Sequence, residues 1–324
     1  MKLSLILPPT PDERWDLAKQ MGVTDAVVHT LEIGDGTCPH EYDPLLQWVN
    51  RFRNAGIDVA VFEGSVPISD VTRLGLPGRN EEIEKFCTFL RNLGRIGVPV
   101  VCYDWMGGIR WARTAQSVPT RGGAVTTAYD NEQMSAGPTP DIPDLTAEDL
   151  WDNLEYFLER VVPVAEEAGV KLGLHPDDPP REEVRGVPRI INSVEAYDRV
   201  LDIYDSPHNG VTFCQGNFAA MGVDIPETIR HFGDRINFVH FRDVDGDADK
   251  FAETFHDDGP TDMLAAMKAY KDVGFDGPMR PDHVPTMAGE DNTNPGYETK
   301  GRLFAIGYMK GLLEQVDADA DADN

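Results

Sequence analysis

The chain predicts a single closed barrel of eight β-strands alternating with eight α-helices. Three observations carry this. Eight short apolar runs are spaced along the sequence, segments of helical period lie between them, and no glycine-rich loop follows the first run. Strands and helices alternating in this number close into a (β/α)8, or TIM, barrel. An open doubly wound sheet is the competing fold, and it marks its first strand–helix turn with a glycine-rich phosphate loop. Here that turn reads PPTPDER.

The strands begin with LSLILP from Leu3, AVVHTL from Ala26, DVAVFEG from Asp58 and VPVVCYDW from Val98. VKLGLHPD from Val170, GVTFCQGN from Gly210, INFVHFRDV from Ile236 and GPMRPDHV from Gly277 complete them. Most are rich in Val, Ile, Leu or Phe and bounded by Gly, Pro or Asp, as parallel strands buried on both faces are. Among the helices, PDERWDLAKQMG has Pro11 near its first turn and stops at Gly22, and DPLLQWVNRFRNAG stops at Gly56. NEEIEKFCTFLRNLGRIG follows the third strand. TAEDLWDNLEYFLERVVPVAEEAG starts at Thr146 with acidic residues in its first turn, which suit the helix dipole. SVEAYDRVLDIY begins on a Ser193 cap. PETIRHFG, PTDMLAAMKAYKDVG and a segment over about 296–313 make eight.

One connection breaks the pattern. Residues 106–143 show no clear periodicity and are rich in Gly, Thr and Pro. A loop this long in a compact domain is usually functional or disordered. It follows the fourth strand, so it belongs at the C-terminal face, as an active-site cover or an oligomer contact. The barrel is expected over 1–314, and the alternating Asp/Ala end, 315–324, as a disordered acidic tail.

Asp and Glu number 56 against 29 Lys plus Arg, for a formal net charge of −27. Such a chain repels itself in dilute buffer and is screened at molar salt, where the Debye length is about 3 Å. The composition suits the cytoplasm of a halophile and excludes direct binding to nucleic acid phosphates. The four cysteines, Cys38, Cys87, Cys102 and Cys214, form no CxxC motif and fit a reduced, cytoplasmic setting. The N-terminal apolar run is too short for a membrane span or a signal peptide.

Barrel enzymes place chemistry at the C-terminal ends of their strands. The last four strands end in LHPDDPP, FCQGN, VHFRDV and RPDHV, offering His175, Cys214, His240, and Asp282 with His283. One such residue alone is most simply structural. Equivalent positions in four successive repeats form an arc that can bind a divalent transition metal through imidazole, thiolate and carboxylate. By donor softness alone, Zn²⁺ or Fe²⁺ would suit that set.

On these motifs the chain resembles the mannonate dehydratase family of hexuronate breakdown. The matching stretches are VCYDW followed by WART, LHPDDPPR with GVPRI, DSPHNGVTFCQGN, FGDRINFVHFRDV, and MRPDH with NPGY and GRL, spread over about 98–303. The resemblance implies a barrel that converts D-mannonate to 2-keto-3-deoxy-D-gluconate with loss of water, using a divalent metal, usually Mn²⁺, in a homo-oligomer. It implies His175, Cys214, His240 and Asp282 as metal ligands, and His283 and Tyr297 as acid–base residues. The chain departs from the family pattern at CQGN, at VPTM after PDH and at GGIR before WART, which bears on the choice of sugar acid.

An anionic substrate needs local positive charge. Arg110, Arg113 and Arg121 lie in the long connection, and Arg242 and Arg280 flank ligand-bearing strand ends. Arginine holds a carboxylate bidentately, so Arg113 first, then Arg242 and Arg280, are expected on the substrate side. Two other readings stay open on sequence: a metal-dependent sugar isomerase or epimerase on the same barrel, and a non-catalytic barrel whose metal is structural.

Overall fold

The computed structural model describes residues 1–29, 39–64 and 66–322. Cys38 and the end of the second apolar run lie outside them. Eight parallel strands close into a barrel in sequential order: β1 Lys2–Ile6, β2 Asp25–His29, β3 Asp58–Glu63, β4 Val100–Asp104, β5 Lys171–His175, β6 Asn209–Cys214, β7 Ile236–His240 and β8 Pro278–Arg280. Each of the eight predicted runs supplies one of them.

The principal helices are α1 Glu13–Gln20, α2 Tyr42–Arg53, α3 Arg79–Ile96, α4 Ala147–Ala168, α5 Val194–Ile203, α6 Ile225–Phe232, α7 Met263–Asp272 and α8 Thr299–Ala322. Their boundaries follow from capping. Asp12, rather than Pro11, opens α1, its side chain accepting from the Arg14 amide. Thr146 and Asp149 form a reciprocal capping box on α4, which ends at Gly169 in the left-handed region, φ 67°. Ser193 caps α5 as expected.

The main core lies between strands and helices. Phe157 on α4 is fully buried, and its ring centroid lies 5.2 Å from Phe86 on α3 and 5.2 Å from Trp105 after β4. Truncating such a residue to Ala costs about 3–5 kcal/mol. Helices α3 and α4 approach so closely that a Cβ on Gly94 would sit 2.2 Å from the Ala168 carbonyl oxygen. A smaller cluster, Val27, Val61, Val100 and Phe238 among it, fills the barrel interior and gives the site above it a floor.

The long connection is not structureless. Ala115–Pro119 and Val125–Asp130 form an antiparallel hairpin around a 3₁₀ turn at Arg121–Gly123. Val125–Asp130 pairs in turn with Lys250–Glu253, and that strand with Val244–Gly246, giving a four-stranded sheet built from the connections after β4 and β7. The sequence concealed it because the pairing partner is remote, Tyr129 lying opposite Phe251. The C-terminal segment also differs from expectation. Helix α8 continues through 315–322, where a disordered tail was expected, because Ala favours helix and α7 supplies cations: Lys271 pairs with Asp317 at 2.6 Å and Lys268 with Asp319 at 2.7 Å. No described helix is long and apolar enough to cross a membrane.

Candidate active site and metal centre

The strands end together on a charged cavity of about 180 Å³. His29, Glu63, Asp104, His175, His240 and Arg280, the last residues of β2, β3, β4, β5, β7 and β8, all line it. Asp282, His283 and Tyr297 from the segment after β8, and Arg110 and Trp111 from the long connection, complete most of the wall. Cys214 is the last residue of β6 and pairs in register with His240.

Three of the four expected metal ligands, His175, Cys214 and His240, bring donor atoms within 4.8 Å of one another. The fourth is adjacent: Asp282 Oδ2 lies 3.8 Å from Cys214 Sγ and 3.5 Å from His240 Nδ1. His240 is 1% exposed, yet neither ring nitrogen has a partner in hydrogen-bond geometry, although Nε2 comes within 3.0 Å of Glu63 Oε1. A buried imidazole left so is costly unless something else binds it. His175 Nδ1 sits 2.7 Å from the Pro176 carbonyl oxygen. A carbonyl only accepts, so Nδ1 carries a proton, and the neutral ring then has its lone pair on Nε2, the tautomer a metal ligand needs.

The electrostatics point the same way. Burial and Arg280 oppose a proton on His240, but Glu63 and Asp282 outweigh them and raise its pKa to about 9. The pocket favours a positive charge at this position. Burial also opposes ionisation of Asp282, and Arg280, His283 and His240 reverse that and hold its carboxyl well below the usual range. Two imidazoles, a thiol and a carboxylate fit a divalent transition metal. Glu63 and Cys102 also gather around His240. However, Arg280 already forks Glu63 at 2.9 and 2.6 Å, and burial pushes the Cys102 thiol well up. That second group is a poorer home for a cation.

His283 and Tyr297 form a pair beside the candidate ligand group. His283 Nε2 lies 2.9 Å from the Tyr297 hydroxyl, which also reaches Asp282 Oδ1 at 3.3 Å. Burial and the Asp282 charge hold the Tyr297 phenol well above its ordinary pKa. Trp111 packs against the imidazole with ring centroids 5.2 Å apart.

The arginines divide. Arg280 lines the cavity, its guanidinium shared between Glu63 and Asp282. Arg113 and Arg242 are not among the lining residues. Their side chains are 0% and 1% exposed and lie in an ion network behind the wall. Arg113 forks Asp178 and donates to Glu253 Oε1 at 2.5 Å. Arg242 donates to Glu253 Oε2 at 2.9 Å, Asp178 Oδ2 at 3.1 Å and Asp282 Oδ2 at 2.8 Å. A Cβ on Gly216, in the CQGN stretch, would meet Arg242 Nη1 at 2.3 Å, so this position has no room for a side chain. Arg121 instead pairs with Asp257 at the surface. The half-exposed guanidinium at the mouth is that of Arg110, 2.5 Å from Asp104.

Sequence reading did not single out Glu63, Asp104, Asp178 or Glu253. A signal existed for the first two, since each is an acid closing an apolar strand, the same pattern that marks His175. Asp178 follows His175 in a stretch that reads as a turn. Nothing in the sequence marks Glu253.

The comparisons with known proteins bear on the family and the fold. The family model described as D-mannonate dehydratase matches residues 15–142 and 141–322. Mannonate dehydratase 2 of Halalkalibacterium halodurans is 34% identical over 92% of this chain and 92% of its own length. Mannonate dehydratase of Thermotoga maritima is 37% identical over 85% of this chain and 86% of its own. The crystal structure of mannonate dehydratase from Streptococcus suis serotype 2 superposes with a TM-score of 0.91 at 34% identity, covering 99% of this chain and 96% of that one. A structure of L-ribulose 3-epimerase, 13% identical with a TM-score of 0.64, shares the fold alone. The chain belongs to the D-mannonate dehydratase family.

Proposed function

We propose that this chain removes water from D-mannonate to give 2-keto-3-deoxy-D-gluconate, with a divalent metal held by His175, Cys214, His240 and Asp282, and Mn²⁺ as the ion. Membership of the family makes the chain a hydro-lyase. The observation that carries the metal is the buried His240 ring, both nitrogens without a hydrogen-bond partner, among a thiol, a second imidazole and a carboxylate.

The chemistry needs two proton movements. The C2 hydrogen beside the substrate carboxylate is very weakly acidic, and its removal leaves an enediolate-like dianion. A divalent metal supplies Lewis acidity for that developing charge. The leaving hydroxyl at C3 is poor and needs a proton from a general acid. His283 Nε2 and the Tyr297 hydroxyl, 2.9 Å apart, are the two groups through which a proton enters and leaves. The enol formed on loss of water then ketonises.

We assign the substrate carboxylate to Arg110, whose side chain is 47% exposed at the cavity, with Arg280 beneath it. Arg113 and Arg242 act through the carboxylates they hold. The net charge of −27 and the free thiols of Cys87, Cys102 and Cys214 support a cytoplasmic setting in a halophilic cell, and a homo-oligomer is proposed from the family resemblance alone. The test is a panel of sugar acids in high-salt buffer, followed by detection of 2-keto-3-deoxy product. Product from D-mannonate is expected. Product from another aldonate alone would keep the chemistry and move the substrate, and an epimerised or isomerised product would replace dehydration.

A further inference from the structure

We infer that Glu253 is a positioning residue for the proton-transfer pair: it holds the His283 proton on Nδ1, so that Nε2 faces Tyr297 as an acceptor. This rests on the acid–base role proposed for His283 above. An ionised carboxylate only accepts hydrogen bonds. Glu253 Oε1 lies 2.9 Å from His283 Nδ1, so that nitrogen carries a proton. In the neutral ring the other nitrogen is then bare. The Tyr297 phenol has one proton and two acceptors within reach, Nε2 at 2.9 Å and Asp282 Oδ1 at 3.3 Å. The shorter contact goes to the ring.

Glu253 is suited to this because it cannot turn. Its side chain is fully buried, with Arg113 on one oxygen at 2.5 Å and Arg242 on the other at 2.9 Å. Asp178 binds both arginines and fixes them in turn. The imidazole is also confined from its other sides. Trp111 packs against it, and the backbone of Gly296 passes so close that a Cβ there would stand 3.3 Å from Cδ2.

The long connection thereby acquires a role. Glu253 ends a strand that pairs with Val125–Asp130, and Arg113 belongs to the same connection. A segment inserted after β4 supports an imidazole that follows β8. Rigid support of this kind fixes ring orientation and tautomer, and its loss slows chemistry without weakening substrate binding.

The direct test is ¹⁵N spectroscopy of protein labelled at its eight histidines and loaded with diamagnetic Zn²⁺. The His283 signals are assigned by their loss in His283→Gln. The expected result is a proton on Nδ1 and a bare Nε2, and a proton on Nε2 overturns the inference. The second test is Glu253→Asp, which keeps the charge between the two arginines and withdraws it from Nδ1 by one methylene. Its kcat on D-mannonate should fall on the order of 100-fold, with KM and bound metal nearly unchanged. An unchanged kcat, or a loss confined to KM or metal content, overturns the inference. The tautomer is read on the wild-type chain, so it decides even where the variant fails to fold. It also decides where D-mannonate is not turned over, an outcome that defeats the functional reading alone.

Discussion

His240 and His283 are both buried imidazoles at the mouth of the barrel, and their surroundings are opposite. His283 has each ring nitrogen 2.9 Å from a partner, Glu253 on one side and Tyr297 on the other. His240 has neither nitrogen in hydrogen-bond geometry. The region around His283 is complete as a protein structure, whereas around His240 two carboxylates stand near, Glu63 Oε1 at 3.0 Å and Asp282 Oδ2 at 3.5 Å, and neither ring nitrogen forms a hydrogen bond. On the proposed reading, the first is pre-organised acid–base machinery and the second a ligand set. Substitutions on the two sides should therefore fail in different ways.

The largest effect is expected on the His240 side. His240→Ala or Cys214→Ala should leave a folded protein that retains no metal and turns over no substrate, read by metal analysis and product formation. Retention of stoichiometric metal by either variant would break the distinction. On the other side, His283→Ala and Tyr297→Phe should keep the metal and lose kcat by about 10²–10⁴-fold, the usual range for a general acid or base. Parallel loss of metal there would merge the two regions into one.

Behind the wall the effect should be on stability. Removing one partner of a buried ion network strands the others, at a cost of about 3–5 kcal/mol. Arg113→Ala, leaving Asp178 and Glu253 short of a cation, should show that loss in denaturant unfolding. A neutral result would mean that the network relaxes freely and fixes nothing. The smallest effect concerns pH. Burial raises the pKa of Asp178 and Glu253, but Arg113 and Arg242 respectively lead the charges that reverse it, so both sit lower in the folded state than in the unfolded. Their contribution is fully present above the unfolded value, about 4, and is lost as pH falls through the lower folded values. Thermal stability should fall below that point, and Arg113→Ala should flatten the decline.

The same contrast runs through what the sequence could reveal. His175, Cys214 and His240 each close a strand whose apolar run is legible, so the barrel and the candidate ligand positions emerge together. Asp282, His283 and Tyr297 lie in short motifs distinctive enough to carry the family resemblance. Glu253 had no such signal. It ends a short strand in a connection, its value comes from Arg113 and Arg242, and Arg113 is 140 residues away. The arginines were legible as cations but not as buried ones, because charge balance inside the wall depends on pairings that only the closed barrel makes. For the same reason the hairpin in 106–143 was invisible: its strands are defined by a partner after β7.

The most direct measurement on the central claim is turnover of D-mannonate by protein stripped of metal and then reloaded with Mn²⁺ in high-salt buffer. The account predicts no 2-keto-3-deoxy product from the stripped protein and restoration on reloading in the wild type but not in His240→Ala. Full activity of the stripped protein, or none from folded, metal-loaded wild type, would contradict it.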